Sequence, residues 1–434
     1  MAGASTATLL EELVARAGPG SAGRLGAEAD TVDGVRPRLV AAPVSGDAAA
    51  ATLAWAASEG LAVRVCGGGT KQDWGTPGET VELLLSTAAL SGVVEHRHGD
   101  LTATVEAGAT LAAVNTALAA HGQRLPWDPP WPEQATIGGI LATNDSGPRR
   151  HGHGAPRDSI IGVTMARIDG RVAKAGGIVV KNVAGYDLAR LLTGSFGCLG
   201  VVLTATFKLA PAPPASRTVR VTVGSLEAAA PIAADLAGSS LTPTAVELTA
   251  PSPPPAATDG VRAPVQLLVR FESVETSVAQ QAGAACAVVG GDAVVLAGMD
   301  EGDAWTRHAA HWSGGGTLVK LSTVTTELFP TLVWLRDGAA TEGVEMAVAG
   351  RAGLGVVDVR LDGPVDAQAR LVAALRERLP VGRGSAVIRR GVPALRRTID
   401  AWGPIGDGMP MMTAIKRQFD ADGLLNPGRG PGGL

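Results

Sequence analysis

Apolar residues fall into short runs of strand and helix spacing, punctuated by glycine and proline, and the pattern becomes regular from Arg36 onward. Arg38–Ala42 predicts a short strand. Asp47 is a plausible N-cap for a helix running to about Ser58, which Gly60 closes, and Leu61–Val65 predicts a second strand. This β-α-β unit runs directly into Gly67-Gly68-Gly69-Thr70. Val81–Leu85 predicts another strand, and Gly92–Arg97 with Leu101–Glu106 predicts a hairpin around Gly99-Asp100. Thr110 caps a helix to about Ala120. Residues 1–31, ahead of this pattern, predict a short alanine-rich helix and a Gly-rich connection.

Pro126, Pro129, Pro130 and Pro132, interleaved with Trp127 and Trp131, exclude regular helix or central strand for the next segment. Beyond it come strand Ile160–Ile168, a turn at Asp169-Gly170, strand Arg171–Lys174, a helix over Tyr186–Leu192 and strand Val201–Leu209. Pro211, Pro213 and Pro214 mark a boundary. Past it, strands (Thr218–Val223, Val265–Phe271, Leu318–Ser322, Val356–Leu361) alternate with helices (Leu226–Leu236, Val274–Ala287, Val365–Leu379). Ser252–Pro255 reads as a loop, and Met411–Phe419 as a last helix. This texture predicts an α+β domain on an antiparallel sheet. The expected division is an N-terminal segment 1–31, a first domain 32–213, a second domain 214–395, and a C-terminal segment 396–434.

Composition narrows the class. With 434 residues, 46% hydrophobic and 18% charged, the chain is a folded globular protein with room for several domains. A formal net charge of −4 without a long basic run argues against nucleic acid as the main partner. Cys66, Cys198 and Cys286 lie far apart and form no CxxC pair, so neither a zinc site nor an iron–sulfur cluster is expected in this chain. No stretch of about 20 apolar residues occurs. Glu11 and Glu12 near the first apolar residues argue against a signal peptide. A cytoplasmic location is therefore expected, with membrane association only through partners.

Three glycine-bearing segments carry the candidate chemistry. Cys66–Lys71 reads CGGGTK, and consecutive glycines after a strand let backbone amides form a nest for phosphate oxygens, with Thr70 and Lys71 adding a hydroxyl and a charge. A tight turn without a ligand fits the loop equally well. Gln72 stands where a dinucleotide fingerprint needs its third glycine, Gly353-Leu354-Gly355 also lacks one, and no GxxxxGK[ST] occurs. The second segment, Thr136–Asn144 (TIGGILATN), opens a short helix whose first turn could offer amides to an anion. Alternatively, Gly138 and Gly139 merely permit close helix packing. The third runs from Lys181 through Gly185 and Tyr186 to Gly194-Ser195-Phe196-Gly197-Cys198-Leu199-Gly200, ahead of Val201-Val202.

CGGGTK, TIGGILATN, KNVAGYDLARL, GSFGCLGVV and the terminal LNPGR stand in the order found in the PCMH-type FAD-binding flavoproteins of the vanillyl-alcohol oxidase superfamily, which this chain resembles over about residues 36–211 and the last twenty. It is most similar to the glycolate oxidase FAD-binding subunits (the GlcE group) and their catalytic GlcD-type relatives. Ser146-Gly147-Pro148-Arg149-Arg150 resembles the GlcE type more. The resemblance implies an FAD between two α+β subdomains. Gly67, Gly68, Gly69 and Thr70, with Cys66 and Lys71, would receive the pyrophosphate. Thr136, Ile137, Gly138, Gly139, Ala142 and Asn144, with Pro129, would form a second wall. Val201, Val202 and Asn426 would approach the cofactor through the backbone or near its ring. Covalently flavinylated relatives use a histidine in or near the first loop. Here Thr70 and Lys71 stand there, so noncovalent FAD is implied. The nearest histidines, His151 and His153, sit among Gly152 and Gly154, where a solvated loop is expected.

Oxidising a 2-hydroxy acid needs a hydride acceptor, a base for the hydroxyl proton, and cations for the carboxylate. The catalytic relatives resemble a pattern H-x-G-D-G-N-x-H whose histidines serve a metal and the substrate. Arg351 and Asp358 stand at those two positions here, and neither replaces an imidazole as a metal ligand with the same geometry. His308 and His311, beside Trp305 and Trp312, share one face of a helix, expected to be a partly exposed surface and not a metal site. The expectation is an FAD subunit without a complete substrate site, serving a GlcD-like catalytic chain in glycolate oxidation, with an iron–sulfur chain as electron exit. Two alternatives stand beside it. One is an independent, D-lactate-type dehydrogenase using Arg351, Lys320 or Arg389 for the carboxylate. The other is a scaffold with vestigial cofactor loops.

Overall fold

A computed structural model describes residues 5–78, 80–178, 185–252, 264–379 and 382–434. Of the expected features, Lys181–Ala184 of the third glycine segment and residues 253–255 of the proline loop lie outside the described residues. The chain divides into two compact units. The first comprises Met1–Ser146, Gly154–Ala212 and Pro404–Leu434. The second comprises Gly147–His153 and Pro213–Gly403. The short stretch Gly147–His153, inside the expected first domain, is thus counted with the second unit.

In the first unit, a four-stranded sheet has the order Ala22–Leu25, Leu39–Ala42, Leu83–Ser86, Val63–Cys66. Leu39–Ala42 and Val63–Cys66 both pair parallel to Leu83–Ser86, and the helix Gly46–Ser58 makes the crossover that parallel strands require. Its N-cap is Ser45, whose hydroxyl accepts the Ala48 amide, and not the expected Asp47. Asp47 falls inside the first turn, where its charge favours the helix dipole. A five-stranded antiparallel sheet has the order Val93–Arg97, Thr102–Glu106, Val201–Lys208, Ile160–Ala166, Val172–Gly176. The helices Leu111–Ala119, capped by Thr110 as the sequence predicts, and Ile137–Thr143 complete its core. Trp127 from the Pro/Trp segment is buried there, its ring edge-on to Phe207 at 4.9 Å. The helix expected over Tyr186–Leu192 starts at Leu188, because Asp187 is its cap.

The second unit is built on an eight-stranded antiparallel sheet in the order Val294–Leu296, Ala215–Val223, Val265–Ser273, Ala245–Ala250, Glu345–Arg351, Val356–Asp362, Thr317–Ser322, Ser385–Arg390. Strand alternation sends Val219, Leu248, Val269, Val348, Val359, Leu321 and Ile388 to one face. There they pack in one core with the helices Leu226–Gly238, Glu275–Val289, Thr325–Thr341 and Val365–Arg378. The intervening residues Glu247, Arg351, Asp358, Lys320 and Arg389 fall on the other face. The helix Gly298–Ser313 binds to that face by hydrogen bonds to Glu247, Thr249 and Asp358. Among the described residues, no helix is long and apolar enough to cross a membrane.

Candidate functional site

The first unit holds a cleft where the strand Val63–Cys66 opens into the glycine turn. Its walls bring together Gly67, Gly68, Gly69, Thr70 and Lys71 with Thr136, Gly138, Gly139, Ala142, Val201, Val202 and Asn426. The first two glycines are required by contact. A β-carbon on Gly67 would lie 2.1 Å from Thr136 Oγ1, and one on Gly68 would lie 1.8 Å from the Gln134 carbonyl oxygen. The turn backbone is therefore pressed against the segment ahead of the second helix. Gly69 has φ +76°, a left-handed backbone that glycine adopts without strain.

Counting amide donors separates the two loops. Among the described residues, the amides of Gly67, Gly68 and Thr70 donate to no protein acceptor, and that of Gly69 lies against the Cys66 thiol. Free amides in a concave glycine turn are an anion nest. The second loop differs from the sequence expectation. Its Ile137 amide donates to the Ala109 carbonyl at 2.9 Å, Gly138 to Ala107 at 2.7 Å, and Gly139 to its own cap, Thr136 Oγ1, at 3.4 Å. The reason is close packing. A β-carbon on Gly138 would meet that of Ala107 at 2.9 Å, so glycine here lets the turn Ala107–Ala109 reach the helix and occupy its donors.

Four further expected residues do not line the cleft. Ile137 is wholly buried in the core. Asn144 ends its helix in the left-handed conformation, and its side chain accepts the Arg157 amide. Pro129 is buried outside the cleft wall. The Cys66 thiol donates back to the Gly67 carbonyl, and burial pushes its pKa up. Lys71 is buried 3.5 Å from Asp145 and donates to Thr70 Oγ1 at 3.2 Å, so an internal carboxylate shares its charge.

The C-terminal return is tied to the same cleft. Asn426, left-handed at φ 45°, accepts the Val65 amide through Oδ1 and donates through Nδ2 to the Phe196 carbonyl. Arg429 donates to the carbonyls of Lys71, Gln72 and Trp74, holding the end of the glycine turn. Sequence reading had used Arg429 only as part of LNPGR; an arginine one turn beyond the returning asparagine was the available signal. These free turn amides and the clash-demanding glycines fit the diphosphate of a dinucleotide such as FAD.

In the second unit, the non-core sheet face carries a buried polar cluster. Asp358 is wholly buried. Its carboxylate accepts from Arg351 Nη2 at 3.2 Å, Arg389 Nη1 at 3.2 Å and Trp312 Nε1 at 3.0 Å. Burial alone would raise its pKa, but Arg389, Arg351 and the Trp312 hydrogen bond outweigh burial and hold it below the usual carboxylate range. The three cationic candidates Arg351, Lys320 and Arg389 are thus brought to one place. His308 and His311 are buried, against the expectation of a partly exposed surface, because their helix lies on the sheet. His308 donates from Nε2 to Glu247 at 2.8 Å and contacts Thr249 Oγ1 through Nδ1 at 2.8 Å. His311 donates to the Asp358 carbonyl, and burial pulls its pKa down to about 4. The His151–His153 stretch, expected as a solvated loop, belongs to one helical turn, Arg150–His153. His151 is half-buried against Gly353, where a β-carbon would meet its ring at 2.6 Å, and burial lowers its pKa. Among the described residues, no group of three His, Cys, Asp or Glu side chains is placed to hold a metal ion.

Comparison with known proteins follows the same division. Residues 37–176 match the family described as FAD binding domain. Glycolate oxidase subunit GlcE of Escherichia coli is 41% identical over 33% of this chain, a match spanning 41% of that protein's length. Glycolate oxidase subunit GlcD of Bacillus subtilis is 27% identical over 98% of this chain and 97% of its own. Among solved structures, alkyldihydroxyacetonephosphate synthase superposes with a TM-score of 0.68 at 16% identity, covering 90% of this chain and 76% of the other, a likeness of fold alone. With the α+β architecture and the glycine cleft, these matches show a PCMH-type FAD-binding fold, in which residues 37–176 are similar to the FAD binding domain family.

Proposed function

We propose that this chain is the FAD-holding accessory subunit of a glycolate oxidase-type complex that oxidises a 2-hydroxy acid, serving a GlcD-like catalytic chain. The observation that carries this reading is the Arg351–Asp358 ion pair. It stands at the two positions where the catalytic relatives carry a metal-binding histidine pair, and its ions meet at 3.2 Å. The similarity to GlcE of E. coli supports the same assignment.

Bound FAD would supply a two-electron acceptor. The residues of the chain hold and orient it. The amides of Gly67, Gly68 and Thr70 would meet the diphosphate, the backbone at Val201 and Val202 lies along the cleft, and Asn426 with Arg429 pins the returning segment to the glycine turn. Noncovalent attachment is part of this reading, because Thr70 and Lys71 stand in the first loop where covalently flavinylated relatives use a histidine. Electrons would leave through a partner carrying iron–sulfur clusters, since the three cysteines lie far apart in the sequence.

A second reading, an independent 2-hydroxy acid dehydrogenase, is favoured by the gathering of Lys320, Arg351 and Arg389 on one sheet face. The full chain purified alone separates the two. The accessory reading expects a yellow protein whose flavin stays oxidised with glycolate or D-lactate under anaerobic conditions and bleaches only with its catalytic partner. Bleaching without the partner overturns it in favour of the dehydrogenase. A folded, colourless chain that refuses added FAD leaves only the scaffold.

A further inference from the structure

The helix Gly298–Ser313 lies on the non-core face of the second unit's sheet, and its His308 joins a hydroxyl to a carboxylate there. Glu247 and Thr249 stand two residues apart on one strand, so both side chains point to that face. His308 Nε2 lies 2.8 Å from Glu247 Oε2, and Nδ1 lies 2.8 Å from Thr249 Oγ1. A carboxylate only accepts, so Nε2 carries the proton and Nδ1 is left to accept from the Thr249 hydroxyl. Glu247 Oε1 is buried and takes no hydrogen bond among the described residues, and Arg351 is the cross-strand neighbour of Glu247. Trp305 and Trp312 meet the imidazole edge-on, with centroids at 5.6 and 5.3 Å, and fix its plane.

Glu247 and His308 are buried, but Thr249 is half-buried and lines a groove with Arg307, Glu345, Arg360 and Asp362. None of the three linked residues lines the glycine cleft. A hydroxyl, an imidazole and a carboxylate, each within hydrogen-bond reach of the next, are the parts of an activated nucleophile. We infer that Thr249, His308 and Glu247 form a second, flavin-independent site that takes a short acyl group from an uncharged ester and hydrolyses it. The groove sets the substrate class. It carries charge of both signs, two arginines against two carboxylates, so it has no net pull on an ion. Its remaining wall is small and apolar, with Ala250, Pro251, Ala310 and Ala347.

In the first half-reaction Thr249 Oγ1 bonds to the ester carbonyl carbon as its proton passes to His308 Nδ1. The negative charge on the carbonyl oxygen meets the positive charge that Arg307 and Arg360 bring to the groove. Collapse of the tetrahedral adduct breaks the bond to the ester oxygen, and His308 gives the proton to the leaving alcohol. Water then attacks the acyl-threonine, with His308 again as base, releasing the carboxylic acid and restoring the hydroxyl. Glu247 balances the imidazolium formed in each half. No electrons enter or leave, so neither FAD nor a partner chain is needed.

The probe is p-nitrophenyl acetate, given to the full purified chain. The expected result is a burst of p-nitrophenolate followed by slower steady turnover. Peptide mass spectrometry after an acid quench should place the acetyl group on Thr249. Thr249→Val, which replaces the hydroxyl by a methyl, and His308→Gln should each lower the steady rate by roughly 10²–10⁴-fold, while Thr249→Ser keeps it. Melting temperature and flavin absorbance check that each variant is folded, and the labelling of wild type decides the matter even if a variant is not. Acetyl groups on other residues and none on Thr249, undiminished hydrolysis in folded Thr249→Val, or no burst from the folded wild type would each overturn the inference and leave His308 as a clamp for its helix. A colourless chain that still acylates Thr249 would instead overturn the FAD reading and leave this one standing.

Discussion

Arg351 and Asp358, seven residues apart in sequence, face each other at 3.2 Å across a tight hairpin, with 2% and 0% of their surfaces exposed. The turn between their strands is one 3-10 turn, Ala352–Leu354, closed by Gly355 at φ +66°. A β-carbon on Gly355 would lie 2.2 Å from the Thr323 carbonyl, so glycine is needed for both conformation and contact. This geometry makes a wholly buried charge pair, and such a pair is weak as a stabiliser yet costly to break.

Removing one side of it should therefore be severe. Asp358→Ala leaves Arg351 and Arg389 without their shared carboxylate and Trp312 without its acceptor. We expect a loss of about 3–5 kcal/mol in urea unfolding of the second unit. Because the Asp358 pKa is depressed in the fold, its contribution is present above the unfolded value and is lost as pH falls through the lower folded value. The double variant Arg351→Met/Asp358→Leu should recover only the part due to Arg351, since Arg389 and Trp312 still lose the Asp358 carboxylate. Additive losses in the double variant would contradict the coupling.

His311 gives a separate acid response. Its folded pKa of about 4 lies below the unfolded 6.5, so the unfolded chain binds a proton that the fold refuses. Stability from this group is full above pH 6.5 and falls between pH 6.5 and 4, by about 3 kcal/mol at the bottom of that window. Melting temperature against pH for wild type and His311→Gln should show that slope only in the wild type.

In the glycine turn, position 68 should be the least forgiving. An alanine there meets the Gln134 backbone oxygen at 1.8 Å, and backbone cannot swing aside as a side chain can. Gly68→Ala should weaken FAD retention roughly tenfold or more, equivalent to about 1.4 kcal/mol, within the usual cost of overpacking. Gly69→Ala has open space and only a left-handed backbone to pay for, about 1 kcal/mol. Bound flavin per chain, read by absorbance after gel filtration, should rank wild type above Gly69→Ala above Gly68→Ala.

Asn426 should hold the C-terminal segment to the cleft. Asn426→Ala removes two hydrogen bonds and places alanine at φ 45°, at a cost of about 2–4 kcal/mol. Asn426→Gly recovers only the backbone part. Faster hydrogen exchange at the Val65 amide in the alanine variant, with intermediate exchange in the glycine variant, is the expected order. Equal exchange in all three proteins would remove the staple role.

What the sequence alone determined was local. Strand spacing, the cap at Thr110 and the glycine run after Val63–Cys66 were readable because each depends on neighbours within a few residues. The α+β character of the second half was readable for the same reason. The strands Ala245–Ala250 and Glu345–Arg351 and the helix Thr325–Thr341, which carries Pro330, were not foreseen. Their sequences are weak alone and become definite by pairing and packing with elements a hundred residues away. Only the tertiary structure decided which amides of the cleft stay free, since Gly138 lends its donor to Ala107 in a turn that no local pattern brings near. It also decided that the Asp358 carboxylate accepts from both Arg351 and Arg389. Charge compensation is set by distance and burial in space, which residue types at given positions along a chain do not contain.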